Sequence, residues 1–168
     1  MNHLEILNSK IQNIAQMEKT LEQWRKEKCK IVFTNGCFDI IHRGHVDYLA
    51  KAAGLGDQLV IGINTDVSVS KIKGPQRPLN DQISRAMVLA SFSYVSMVLF
   101  FDESTPYELI RLIQPDILVK GADYKIEEIV GYDIVKAKGG EIITLDYLPG
   151  YSTSAIEQKI LKKNKSQL

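Results

Sequence analysis

The chain has 168 residues, of which 45% are hydrophobic and 24% charged, the proportions of an ordinary globular protein with room for one sizeable core. Its 21 basic and 20 acidic residues leave a formal charge of +1, which gives no electrostatic footprint for nucleic acid or for an anionic membrane. No stretch reaches the roughly 18 to 20 apolar residues of a membrane span, and the first ten residues lack the apolar centre of a secretory signal.

Two cysteines, Cys29 and Cys37, make neither a disulfide framework nor a zinc site, so a reduced, cytoplasmic protein with no protein-held metal is expected. Leu4, Leu7, Ile11, Ile14, Met17, Leu21 and Trp24 recur at spacings of three or four and predict one amphipathic helical extension over residues 1–28. Its apolar residues, Met17 and Trp24 among them, call for cover, either from the main domain or from a second copy in a homodimer.

From residue 29 onward strands and helices alternate. Strands are predicted near 31–34, 58–63, 94–101, 117–119 and 141–145. Helices are predicted over 43–53, 81–92, 106–113, 127–138 and 152–161. Such alternation predicts an α/β fold, a Rossmann-like doubly wound parallel sheet of about five strands in the order 3-2-1-4-5. The domain is expected to run from 29 to 163, with a polar tail at 164–168. Ligands of such sheets lie beyond the C-terminal strand ends, where the strand order reverses.

The residues that carry chemistry sit at those ends. The first strand of the domain leads into Thr34, Asn35, Gly36, Cys37, Phe38 and Asp39, then into His42-Arg43-Gly44-His45. Gly36 permits a sharp turn and close approach of backbone to ligand. Gly44 removes a side chain from the first turn of a helix whose free N–H groups suit a phosphate. His42 and His45 are three apart and share one side of that turn. Each imidazole can donate a hydrogen bond to a phosphate oxygen, though a histidine pair here can equally cap or pack. Cys37 has no histidine-aspartate partner pattern and reads as a small buried filler.

Lys71 and Lys73 are expected on a loop after the next strand, where Lys73 is favoured to meet a phosphate and solvation is the plain alternative. Arg77 and Arg85 carry the same ambiguity, and Asn64 and Asp66 are placed weakly at the rim facing a second substrate. Lys120, Gly121, Asp123 and Tyr124 follow a buried strand, while Ser152, Thr153 and Ser154 open the last helix, where hydroxyls cap for structural reasons alone.

Five blocks in order, 33–39, 42–45, 64–78, 115–124 and 151–154, make the chain resemble the cytidylyltransferase-like family of nucleotidyltransferases, over nearly all of 28–161. The closer resemblance is to members acting on a heptose phosphate. It implies transfer of AMP from ATP to D-glycero-β-D-manno-heptose 1-phosphate, releasing ADP-heptose and pyrophosphate for lipopolysaccharide or glycan precursors. It further implies Mg²⁺ bound with ATP, no covalent intermediate, His42, His45 and Lys73 as charge stabilisers, and the 34–39, 120–124 and 152–154 segments on the nucleotide.

Ala53 and Ser96 depart from the arginine and aspartate common in the family. Many relatives carry a sugar kinase in the same chain. None fits in 168 residues, so a separate kinase and phosphatase are expected in the pathway. A cytidylyltransferase acting on glycerol 3-phosphate or choline phosphate is the alternative. Its relatives carry an arginine ahead of the hydroxyl run, where this chain has Leu148-Pro149-Gly150. A catalytically inactive nucleotide-binding module is the third reading. A tRNA synthetase shares an HxGH-like element, but neither a tRNA-reading domain nor a basic surface is present.

Overall fold

The computed structural model describes residues 2–122 and 125–165; Asp123 and Tyr124, both expected at the nucleotide, lie outside the described residues. Five strands, β2 (Ile31–Gly36), β3 (Gln58–Asn64), β4 (Met97–Phe101), β5 (Ile117–Gly121) and β6 (Glu141–Leu145), follow the sequence prediction closely. They alternate with helices α3 (Arg43–Ala53), α4 (Asp66–Lys73), α5 (Gln82–Ala90), α6 (Tyr107–Ile113) and α7 (Tyr132–Ala137), and α8 (Thr153–Lys165) follows the last strand.

The N-terminal segment is not one helix. It consists of α1 (His3–Lys10), a two-residue strand β1 (Ile11–Gln12) and α2 (Ile14–Lys26). Two capping boxes set these starts: Asn2 with Glu5, and Asn13 with Gln16. The second takes the chain out of helical register at Ile11, which is extended and pairs with Val98 of β4. Lys10 then places its ammonium 3.1 Å from the Ala90 and Phe92 carbonyls, satisfying the end of α5. Met17 is fully buried and Trp24 packs against the core on one face of the sheet. Their cover comes from the chain itself, so they supply no argument for a dimer.

Two further departures have local causes. Residues 127–138 do not form one helix, because Gly131 at φ 88 separates a 3-10 turn (Ile126–Glu128) from α7. Residues 66–73 form a helix where a loop was expected. Thr65 caps it by accepting from the Ser68 amide at 3.2 Å, and Gly74 at φ 100 ends it. The β-branched residues Val67, Val69 and Ile72 disguise this short helix in the sequence. Lys71 and Lys73 therefore stand on its last turn, where a cation also suits the helix dipole.

All six strands are parallel, in the order β1-β4-β3-β2-β5-β6. This is the expected five-strand order with β1 added at one edge. Alternation along β2 sends Ile31 and Phe33 to one core, with Met17, Leu21, Ile110 and Leu118, and Val32 to the other, with Leu49, Ile61 and Leu89. The chain crosses the sheet between β4 and β5, so the order reverses between β2 and β5. Their C-terminal ends carry Asn35 and Lys120, which are in direct contact.

Arg85, expected weakly at the substrate, is 2% exposed and belongs to the scaffold beneath the strand ends. Its guanidinium donates to the carbonyls of Asn80 (3.1 Å), Cys37 (2.6 Å) and Asn64 (2.8 Å) and to the Asp66 carboxylate (2.8 Å). One cation thus ties the segments after β2 and β3 to α5. Asp66 is likewise drawn to Arg85. Arg85→Ala strands buried carbonyls, and it is expected to lower the unfolding free energy by roughly 3 kcal/mol in urea titration.

Candidate functional site

The site begins where β2 ends. Phe38 takes a left-handed backbone at φ 48 and turns the chain from the strand toward α3. Its ring covers Gly36, where an added Cβ would lie 3.0 Å from the ring, and meets the His45 ring edge-on at a centroid distance of 5.3 Å. A non-glycine residue in that region is held by its surroundings, and such strain concentrates at functional sites. Thr34, fully buried, does not face a ligand: its hydroxyl is 2.8 Å from that of Tyr48, one turn after His45 on α3.

His42 is the N-cap of α3 and its side chain makes no capping hydrogen bond, which leaves the first-turn amides open to an anion, apart from that of His45, which donates to the His42 carbonyl at 2.9 Å. The His42 and His45 rings stack at 3.8 Å, and the Nδ1 atoms of both are buried without a hydrogen-bond partner among the described residues. Gly44 makes this possible. A Cβ there would sit 3.0 Å from His42 Nδ1 and 3.2 Å from Tyr151 Cβ.

Burial lowers the His42 pKa. For His45, burial first, then the nearby His42 and Lys73, push the pKa down to about 4, with the Ile40 backbone acting in the opposite sense. Both imidazoles are therefore neutral at pH 7. Burial likewise raises the Cys37 thiol, against the opposing pull of Lys73 and Arg85, which fits a packed residue rather than a nucleophile.

Two cavities meet at His45. One, of about 480 Å³, lies between the start of α3 and the 147–153 segment, and is bounded by His42, Gly44, His45, Tyr147, Tyr151 and Thr153. Ser152 also lines it and caps α8, accepting from the Ala155 amide at 3.1 Å, so two helix N-termini converge there. The other, of about 330 Å³, lies over the ends of β2, β3 and β5 and gathers Asn35, Cys37, Asn64, Lys73, Lys120 and Gly121 with Phe38 and His45. Lys73, not Lys71, lines it. The first cavity is mostly apolar with aromatic walls; the second concentrates two ammonium groups and two amides.

The remaining sequence candidates stand elsewhere. Asp39, 3% exposed, accepts from Arg77 (2.7 Å) and from the amides of Leu79 (2.8 Å) and Asn80 (3.0 Å). Burial pushes its pKa up, but the hydrogen bonds from Asn80, Arg77 and Leu79 outweigh it and hold the carboxyl below its ordinary value. Its oxygens are thus committed to folding the 77–80 segment, and it neither faces a phosphate nor orients a histidine. Arg77 is spent between Asp39 and Glu157 of α8, and so ties α8 to the turn after β2. Ser154 lies outside both cavities.

Tyr48, Tyr147 and Tyr151 were not singled out as site residues. The available signals were the i, i+3 spacing of Tyr48 from His45, and aromatic residues flanking Gly150 just before a helix start.

Residues 33–159 match the family model described as cytidylyltransferase-like. The chain belongs to the cytidylyltransferase-like family. Its enzyme class is nucleotidyltransferase, as the two histidines and the phosphate-ready turn imply.

This cytidylyltransferase-like chain is 54% identical over 144 residues to the bifunctional protein HldE of Wolinella succinogenes, covering 86% of the chain and 30% of that relative. It is 52% identical over 151 residues to the bifunctional protein HldE of Campylobacter concisus, covering 90% and 31%. The chain thus spans about a third of the length of the curated relatives it matches. Among solved structures it resembles the lipopolysaccharide core biosynthesis protein of Thermoplasma volcanium, with a TM-score of 0.57, 26% identity, and 71% and 97% of the two chains covered. It also resembles the pantoate-β-alanine ligase of Francisella tularensis, with a TM-score of 0.61, 18% identity, and 88% and 75% covered, a likeness of fold alone. Among the described residues, no helix is long and apolar enough to cross a membrane.

The neutral His45 gives the cytidylyltransferase-like domain a pH signature. Its folded pKa of about 4 lies below the ordinary 6.5, so between these values the unfolded chain binds more protons. Stability contributed by His45 is present above pH 6.5 and is lost as pH falls toward 4. Urea midpoints measured across that window are expected to fall with pH, and His45→Gln is expected to flatten the slope.

Proposed function

We propose that this chain is an adenylyltransferase that moves AMP from ATP to D-glycero-β-D-manno-heptose 1-phosphate, giving ADP-heptose and pyrophosphate. The observation that carries this reading is the meeting of two unlike cavities at His45. The apolar one, with Tyr147 and Tyr151, suits a nucleotide base, and its two helix N-termini suit the triphosphate. The polar one suits a sugar phosphate: Lys73 and Lys120 for the phosphate, Asn35 and Asn64 for hydroxyls. ATP rather than CTP is supported by Leu148-Pro149-Gly150 ahead of Tyr151, where CTP-using relatives carry an arginine. A heptose is supported by the resemblance of the motif blocks and by the likeness to the lipopolysaccharide core biosynthesis protein of Thermoplasma volcanium.

In this reading an oxygen of the already ionised sugar phosphate attacks the α-phosphorus of ATP at the cavity junction. The bond to the bridging oxygen breaks and pyrophosphate leaves. The protein's part is to align the two phosphates and to stabilise charge in the transition state. The arriving triphosphate favours protonated imidazoles and thus acts against the burial that keeps His42 and His45 neutral. Among the described residues no group of three or more histidine, cysteine or acidic side chains is placed to cage a metal. Mg²⁺ bound with ATP would add positive charge at the phosphate oxygens. A kinase step and a phosphatase step would prepare the sugar 1-phosphate.

Pyrophosphate release with ATP or CTP against a panel of sugar 1-phosphates and polyol phosphates tests the assignment. Turnover is expected with ATP and the heptose 1-phosphate; turnover with CTP and glycerol 3-phosphate alone would overturn it. His42→Ala and His45→Ala are each expected to lower kcat about a hundredfold. Lys73→Ala is expected to raise the acceptor KM more than that of ATP, since Lys73 borders only the polar cavity.

A further inference from the structure

Beyond His45, Tyr147 is the one residue among those described that borders both cavities. Its ring lies on Gly121, at the end of β5, so closely that an added Cβ would overlap the phenol. The Tyr48 ring lies nearby at a centroid distance of 5.9 Å, fixed through its hydroxyl contact with Thr34. Tyr147 therefore fills the face of Gly121 that was expected to receive a ligand. It stands between the compartment with the helix N-termini and the compartment with the lysines.

In-line transfer needs the attacking oxygen about 3 to 3.5 Å from the α-phosphorus, so the contents of the two cavities must touch. His45 is held on α3 by stacking with His42 and by the Phe38 ring. Tyr147 is 53% exposed and lies on the irregular stretch between β6 and α8, which turns at Gly150 with φ 83. Of the two shared walls, the tyrosine is the one that can yield.

We propose that Tyr147 is a movable partition between the nucleotide and acceptor compartments, seated on Gly121, whose ring keeps water from the α-phosphorus until the acceptor phosphate displaces it. The proposal rests on the two-substrate reading of the site. The reaction it suppresses is hydrolysis: a water oxygen bonds to the α-phosphorus, the bond to pyrophosphate breaks, AMP and pyrophosphate leave, and the water proton passes to solvent. A closed wall against water is worth having because water is always the competing acceptor.

The test is AMP formation from ATP with no sugar phosphate present, alongside transfer to the sugar 1-phosphate. Tyr147→Ala removes the partition, and Gly121→Ala lifts the ring from its seat. Both are expected to raise acceptor-free AMP formation at least tenfold and to lower the transfer-to-hydrolysis ratio by as much. Tyr147→Phe keeps the ring and is expected to hold the transfer-to-hydrolysis ratio well above that of Tyr147→Ala. Tyr147→Leu replaces Tyr147→Ala if the latter does not fold. Acceptor-free hydrolysis within twofold of the parent in both the Tyr147 truncation and Gly121→Ala would overturn the proposal. Absence of transfer to any sugar 1-phosphate by the parent enzyme would count against the heptose reading alone, because the hydrolysis measurement needs no acceptor.

Discussion

The guanidinium of Arg85 is the point on which the architecture of the site turns. The carbonyl of Cys37 just after β2, that of Asn64 at the end of β3 and that of Asn80 ahead of α5 all accept from the same buried cation. Without it, these three carbonyls would lose their shared donor, and the turn carrying Phe38 would lose one of its anchors. The left-handed Phe38, its ring over Gly36 and its edge on His45 all follow from that turn being held. Asp39 continues the same logic one residue later, folding the 77–80 segment back with three hydrogen bonds.

Much of this was legible in the sequence. The Gly36 turn, the HxGH start of α3 and the alternating strands predicted both the sheet and the end of it at which the two cavities lie. Where the reading erred, charged residues next to a binding motif were taken for ligand contacts. Asp39, Asp66, Arg77 and Arg85 all lie in or near the motif blocks, yet their charges are spent on one another and on backbone carbonyls. Sequence order carries no sign of which way a side chain turns once the strand ends, and buried ion pairs between loops are long-range facts. The Arg77–Asp39 contact spans 38 positions and the Arg85–Cys37 contact 48.

The N-terminal stripe was misread for a different reason. Leu4 through Trp24 keeps helical spacing almost without interruption, so the hydrophobic period alone predicts one helix. Two Asn-x-x-Glu/Gln capping signals inside it were the better guide, because a cap fixes where a helix must begin. The edge strand β1 exists because Ile11 and Gln12 fall between those two starts. The aromatic residues of the site escaped notice for a simpler reason. A tyrosine in an irregular stretch carries no periodic signal, and only the packing of Tyr147 on Gly121 gives it meaning.

Helix α8 comes after every strand of the sheet, yet its N-terminus, with Ser152 and Thr153, forms one wall of the apolar cavity at His45. Thr153 follows the last residue of β6 by only eight positions, so the final edge of the sheet and this wall take shape nearly together. The Arg77–Glu157 ion pair then draws the helix against the turn after β2 and closes that side of the cavity.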